Sequence, residues 1–425
     1  MTDQRFEQLL HDILDAETPM RAPERLVPET QRAVRRVRRQ PTWLATLLVR
    51  PMRDSRRVVV GSPAQRSLAM GVALLLLALL TVGTLFVGAQ LLLPRTIVVD
   101  PDGNGDATTV MAGIALAGDG DIVLLRPGEY VEDVVVDKAI TLRGDRTSAP
   151  VTIRFTVASP RASDFSGDLR HRYVGGGGRL HSTATPGLNL DGQPLKRPRG
   201  PLVVADGSAV ESLAIAGPRD GLALRVSAER VTLDDVEIGF DGSGDRDVIS
   251  ILADGGDITI EDSSIEGDLF LGGHGTKDLR RNAIAGEIGI RDTDARLVEN
   301  EIRRGPLHGS GVSVQGDSVV TLDGNDIQVR GRGINLAGDG VRASVKNNVV
   351  TESAAGLYLQ EGAIATAVGN TFVGNDMGIR SRSAATSRLR NNTVEGNGVG
   401  IILSAGSTEV TGNRVNGNRN EGIGV

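Results

Sequence analysis

From Leu279 to Val415 the apolar positions return in a fixed frame, apolar-x-x-Asn-x-apolar, seven times in succession. The asparagines of that frame are Asn282, Asn300, Asn325, Asn348, Asn370, Asn392 and Asn413. A glycine followed by an aliphatic residue keeps step with it at Gly289, Gly311, Gly333, Gly356, Gly378, Gly400 and Gly422, spaced by 22 residues except for one step of 23. A period of this length is the signature of a solenoid. Within each unit apolar and polar residues alternate, and Gly, Asn, Val, Ile and Thr outweigh helix formers, so the units are predicted to be strands rather than helical hairpins. Three short strands joined by tight turns use about 22 residues and stack at about 4.8 Å per coil. The predicted fold is all-β: a right-handed parallel β-helix solenoid, because parallel crossovers are right-handed in nearly every case. Each Asn is expected to take the left-handed turn at a corner and to bond the equivalent amide one coil away, forming an asparagine ladder.

Two other stretches depart from this alternation. Leu68 to Leu93 is a run of 26 residues whose polar members are Thr81, Thr84 and Gln90, long enough to cross about 30 Å of hydrocarbon. Residues 1–67 carry 13 arginines, whereas the chain turns acidic soon after Arg95. The positive-inside rule then predicts a single-pass membrane protein with a cytoplasmic N-terminus and an extracytoplasmic β-helix, in the periplasm or at a bacterial cell surface. Cleavage at Val87-Gly88-Ala89 is the competing expectation. The predicted organisation is a basic, helical cytoplasmic segment (1–67), a transmembrane helix (68–93) and a β-helix (96–425). Residues 155–200, rich in Pro, Arg, Gly and Ser, are expected to form a loop insert.

The repeats, with units such as Asn391-Asn392-Thr393-Val394-Glu395-Gly396-Asn397-Gly398-Val399-Gly400-Ile401, resemble the right-handed β-helix repeats of the pectin-lyase-like superfamily, and among them the NosD-like repeats. The opening unit from Thr96 to Tyr130 is similar to that of pectinesterases, in which a short helix plugs the end of the solenoid. Val110, Ile114 and Ala117, at helical spacing, fit such a short N-terminal capping helix. The resemblance specifies a fold and says little about activity.

Composition narrows the chemistry. Zero cysteines remove disulfides and thiolate metal sites, and a net charge of −6 gives no bulk attraction for nucleic acid. Aligning Leu233, Ile260 and Leu279 in one column places Asp234, Glu261 and Arg280 in the next, followed by Asp235, Asp262 and Arg281. Stacked carboxylates repel and call for a cation or for guanidinium neighbours. These six residues are the candidate glycan or calcium site. Calcium held by carboxylates beside an arginine resembles the arrangement of pectate lyases, although the other motif residues of that family are missing. The alternative is a surface ion-pair ladder that balances its own charge. Glu301 and Asp326 share a position on successive coils, Gly273-His274-Gly275 echoes polygalacturonases, and Asp100, Asp102, Asn104 and Asp106 mimic the start of a calcium loop.

The sequence therefore leads to a membrane-anchored protein that binds or scaffolds cell-envelope polysaccharide. A lyase, hydrolase or epimerase acting on an acidic glycan is the alternative, and a transmembrane regulator using residues 1–67 is a further one. Calcium is an optional cofactor, and the oligomeric state is left open.

Overall fold

The protein is described by a computed structural model, which covers residues 71–81, 93–154, 202–204, 206–217, 222–240, 249–303, 309–382, 386–404 and 406–425. From Thr96 onward the chain winds into three parallel sheets of 13, 12 and 12 strands. Each coil gives one strand to each sheet in turn. In one such coil Asp294–Val298 lies in sheet 1, Glu301–Arg303 in sheet 2 and Val312–Gln315 in sheet 3. The predicted solenoid is thus the observed one, with about a dozen coils.

Register is kept residue by residue, which is why the sequence repeats. On sheet 1 Leu297 pairs with Leu322, Leu322 with Val345, Val345 with Ala367 and Ala367 with Leu389, and all five are buried. Successive side chains of a strand point to opposite faces, so this column fills the interior while its neighbours line the outside. The core consists of thin aliphatic layers. Phe372 is a large exception, and the repeat glycine makes room for it: a Cβ on Gly356 would lie 2.5 Å from its ring and 2.6 Å from the carbonyl oxygen of Gly378.

The corner between sheets 1 and 2 holds the asparagine ladder, with one correction to the expected turn. The left-handed residue is the one before each asparagine: φ is 53° at Arg281, 55° at Glu299, 68° at Gly324, 53° at Asn347, 69° at Gly369, 54° at Asn391 and 67° at Gly412. The asparagine is thereby freed to turn its amide inward. From Asn282 to Asn392 each Nδ2 donates to the Oδ1 of the next ladder asparagine, the last being Asn413, at 2.8 to 3.0 Å. Each also donates to a backbone carbonyl of the preceding coil, as Asn348 does to Leu322 at 2.9 Å. A second, shorter ladder of Asn375, Asn397 and Asn418 lines the corner between sheets 2 and 3.

The helix Val110–Leu116 packs against the first strands of sheet 1 with Val110, Gly113 and Ile114 buried. A Cβ on Gly113 would collide with Val99, so the helix lies directly on the first coil. Both helix ends are closed by side chains. Glu132 accepts from the N–H groups of Val110 and Met111, and the Lys138 ammonium donates to the carbonyls of Ile114, Ala115 and Ala117. These charges have the signs that a helix dipole favours. Asp100 accepts from the N–H of Asp102 and Asp106 from that of Val98, so these carboxylates serve the turn that leads into the helix.

Residues 71–81, within the predicted membrane span, are helical and exposed. Among the described residues no helix is long and apolar enough to cross a membrane. The rest of that span apart from Leu93, the segment 1–67 and the insert 155–200 lie outside the described residues.

Candidate functional site

The sequence alignment of the charged columns is the actual strand register. Asp234 pairs with Glu261 and Glu261 with Arg280 on sheet 1, while Asp235, Asp262 and Arg281 occupy the left-handed corner position beside them. The structure adds Arg143 and Glu211 on the preceding coils of the same column, and Arg146 above the corner. Nearly all of these charges are already paired. Arg143 bonds Glu211 at 2.6 Å, Arg146 bonds Asp235 at 2.7 Å and Arg281 grips both oxygens of Asp262 at 2.7 Å. Arg280 bonds Asp278 and stands 3.7 Å from Glu261, which Arg281 reaches at 3.4 Å. Hydrogen bonds from Arg281 hold the Asp262 carboxyl below its ordinary pKa.

Asp234 is the exception. Its carboxyl has no hydrogen-bonding or ionic partner among the described residues. Burial, followed by the negative charges of Asp262, Glu211, Glu261 and Asp235, pushes its pKa up. Among the described residues no three carboxylate or imidazole groups converge to hold a metal ion. The other sequence candidates are likewise bridged. Glu301 and Asp326 do share a column, but Arg303 joins them at 2.9 and 2.8 Å. His274 bonds Glu229 at 2.8 Å on an exposed corner.

Beneath that corner lies a group that sequence reading missed. Lys277 points into the solenoid interior and is fully buried, between Ile258 and Ala295 of the adjacent coils. Its ammonium donates to the carbonyls of Gly255, Gly256 and His274 at 3.0, 2.6 and 2.6 Å, and burial lowers its pKa. All three N–H donors are satisfied, so the lysine braces the glycine-rich corner from inside.

Sheet 3 carries a second arrangement absent from the sequence reading. Its outward column runs Ser313, Asn335, Tyr358 and Arg380 on successive coils. Tyr358 is 4% exposed because guanidinium groups approach its ring from the coils on either side, Arg332 at 4.1 Å and Arg380 at 5.7 Å from the ring centre. Arg382 reaches the Tyr358 hydroxyl at 3.5 Å, and Arg332 also donates to Asn335 at 3.1 Å. Among the described residues none of these three arginines has a carboxylate partner, and the Arg380 Nε is buried without an acceptor. Tyrosine here is a pillar that fixes cations. Arg332, Arg380 and Arg382 fall at different offsets within their coils and Tyr358 occurs once, so no periodic signal marks them. The readable clue was arginine without acid on neighbouring coils of one face.

Residues 220–376 and 286–425 match the family described as "Right handed beta helix region", and the chain accordingly carries a right-handed β-helix repeat region. Among solved structures, pectate lyase Pel9A is similar at 13% identity over 76% of this chain and 78% of its own, with a TM-score of 0.45. Pectin methylesterase PemA from Erwinia chrysanthemi is similar at 13% identity over 61% of this chain and 79% of its own, with a TM-score of 0.32. At these scores neither likeness bears on the site or the activity. No curated protein matches the sequence.

Proposed function

We propose that this protein binds an anionic polysaccharide on the outer face of sheet 3, with the β-helix held outside the cytoplasm by a membrane helix at 68–93. The observation that carries the binding reading is the trio Arg332, Arg380 and Arg382, fixed around a buried tyrosine and without a carboxylate partner among the described residues. A guanidinium offers a planar fork that matches carboxylate or sulfate oxygens, and one already ordered on a ring loses little freedom on binding. In the charged column of sheet 1, by contrast, Arg143, Arg280 and Arg281 are occupied by the protein's own acids. A β-helix face extends the same geometry coil after coil, which suits a chain-like ligand better than a compact one.

Affinity electrophoresis of the full chain in detergent tests this. Gels cast with polygalacturonate or hyaluronate should retard the protein, a dextran gel should not, and the triple substitution R332Q/R380Q/R382Q should remove the retardation. Equal retardation of the triple variant would sink the proposal. For the anchor, alkaline extraction of membranes should leave the chain in the pellet, with the β-helix open to protease from the outside alone.

One observation favours a second reading. Asp234, without a cationic partner and with a raised pKa, has the character of a general base or acid in a lyase, hydrolase or epimerase acting on an acidic glycan, with Glu261, Asp235, Asp262, Arg280 and Arg281 around it. Calcium enters this reading as a ligand of the same carboxylates. A mass-spectrometric product screen with and without calcium should then give shortened or unsaturated chains that Asp234→Asn abolishes. Intact substrates throughout would remove it.

A further inference from the structure

From strand Ile288–Arg291 to strand Met377–Arg382 the cations of sheet 3 fall on alternate coils, while Arg225, three coils before Arg291, is held by Asp254 at 2.9 Å. Arg291 lies on strand Ile288–Arg291, Arg332 on Arg332–Ala337, and Arg380 with Arg382 on Met377–Arg382. The intervening strands Val312–Gln315 and Ala355–Gln360 present Ser313, Gln315, Tyr358 and Gln360, without an ionised side chain. Arg291 is the member that already has an acid, Asp292 at 3.5 Å. Arg332 and Arg380, both seated on Tyr358, therefore lie no more than about 10 Å apart, in line with two coil steps of about 4.8 Å.

From this spacing we infer that the ligand is a glycan charged on alternate sugars, lying along the solenoid axis with one sugar to each coil. The inference rests on the polysaccharide-binding reading above and names its substrate class. In an extended chain a pyranose advances by nearly one coil step. A polymer with one acidic and one neutral sugar per repeat sets its carboxylates opposite Arg332 and Arg380. Its neutral sugars then lie over the intervening coils, where the partly exposed Gln315 and Gln360 amides meet hydroxyl groups without an unpaired charge. A polymer acidic at every sugar places a carboxylate over each uncharged coil, where it is desolvated with no counterion. Because Tyr358 is covered by the two guanidinium groups, selectivity comes from charge spacing and not from stacking of sugar on the ring.

The test is calorimetric titration of the full chain, in detergent, with size-matched oligosaccharides of hyaluronate (acid on every second sugar) and of polygalacturonate (acid on every sugar). The alternating oligomer should bind about tenfold more tightly, and R332Q or R380Q should each cost it about tenfold. Gln360→Arg, which puts a cation on the neutral coil, should narrow or reverse the preference. Binding of neither oligomer would overturn the polysaccharide reading itself. Binding of both with equal affinity, or a preference untouched by Gln360→Arg, would overturn the alternation and leave the anionic-glycan reading standing.

Discussion

Truncating Asn348 in the middle of the ladder should cost far more than truncating Asn413 near its end. Asn348 is fully buried and takes part in four side-chain bonds. Its Nδ2 donates to Leu322 O at 2.9 Å and Asn370 Oδ1 at 3.0 Å, and its Oδ1 accepts from Asn325 Nδ2 at 2.8 Å and Asn325 N at 3.0 Å. Asn370 Oδ1 keeps a second donor, the Asn348 N–H, so the damage falls on the Asn325 side and on Leu322. An ordinary bond is worth about 1 kcal/mol net, and a buried group left unpaired costs about 1 to 3 kcal/mol. With two donors of Asn325 stranded, Asn348→Ala should destabilise by about 3 to 5 kcal/mol. Asn348→Asp keeps the shape but turns a carboxylate toward two oxygens, and should be worse. Asn413 is only partly buried, so water replaces its bonds to Asn392 and Leu389 and the same change should cost about 1 kcal/mol. Urea unfolding followed by circular dichroism gives both values, and hydrogen exchange at Asn325 localises the first. Equal costs at the two positions, or less than about 1 kcal/mol at Asn348, would refute the ladder as a cooperative brace.

Other consequences follow from single side chains. Asp234→Asn should raise the urea midpoint at neutral pH: a carboxyl whose folded pKa is raised adds stability below its ordinary value and loses it as pH rises through the raised one, and the amide removes that loss. Asp121 behaves in the opposite sense. N–H groups of Gly118 and Arg95, then the Arg95 guanidinium, lower its pKa to about 2, so its contribution holds above the ordinary carboxylate range and fades as pH falls toward about 2. Asp121→Asn should flatten the acid limb of a pH-stability curve. Lys277→Met should strand the carbonyls of Gly255, Gly256 and His274 and raise hydrogen exchange in that corner, whereas in the native chain Lys277 should resist amine acylation as followed by peptide mapping. Gly356→Ala should cost about 1 to 3 kcal/mol through collision with Phe372 and Gly378, read again as a urea midpoint.

What the sequence disclosed is what the solenoid repeats. The ladder asparagines and the glycine column are under the same constraint on every coil, so phase alone exposed them, and aligning Leu233, Ile260 and Leu279 was enough to recover true register. The turn was misplaced by one residue because Asp, Arg, Glu, Asn and Gly all fill the left-handed position, with no shared residue type to mark it. The second ladder escaped notice because Asn375, Asn397 and Asn418 sit among other Asn and Gly residues that serve turns. Lys277 was invisible for a different reason: a lysine at an inward position reads as an error in alternation until its three carbonyl partners are seen. The sheet 3 cations depend on which residues of neighbouring coils face one ring, and that is set by pairing between strands rather than by any one repeat.

On the proposed reading the glycan lies on sheet 3 and not on the charged column of sheet 1. Arginine footprinting with phenylglyoxal, read by peptide mass spectrometry on the full chain with and without hyaluronate, addresses it directly. Bound glycan should shield Arg332, Arg380 and Arg382 while Arg280 and Arg281 react at an unchanged rate. Shielding of Arg280 and Arg281 with the sheet 3 arginines unaffected would contradict it and move the site to the column around Asp234.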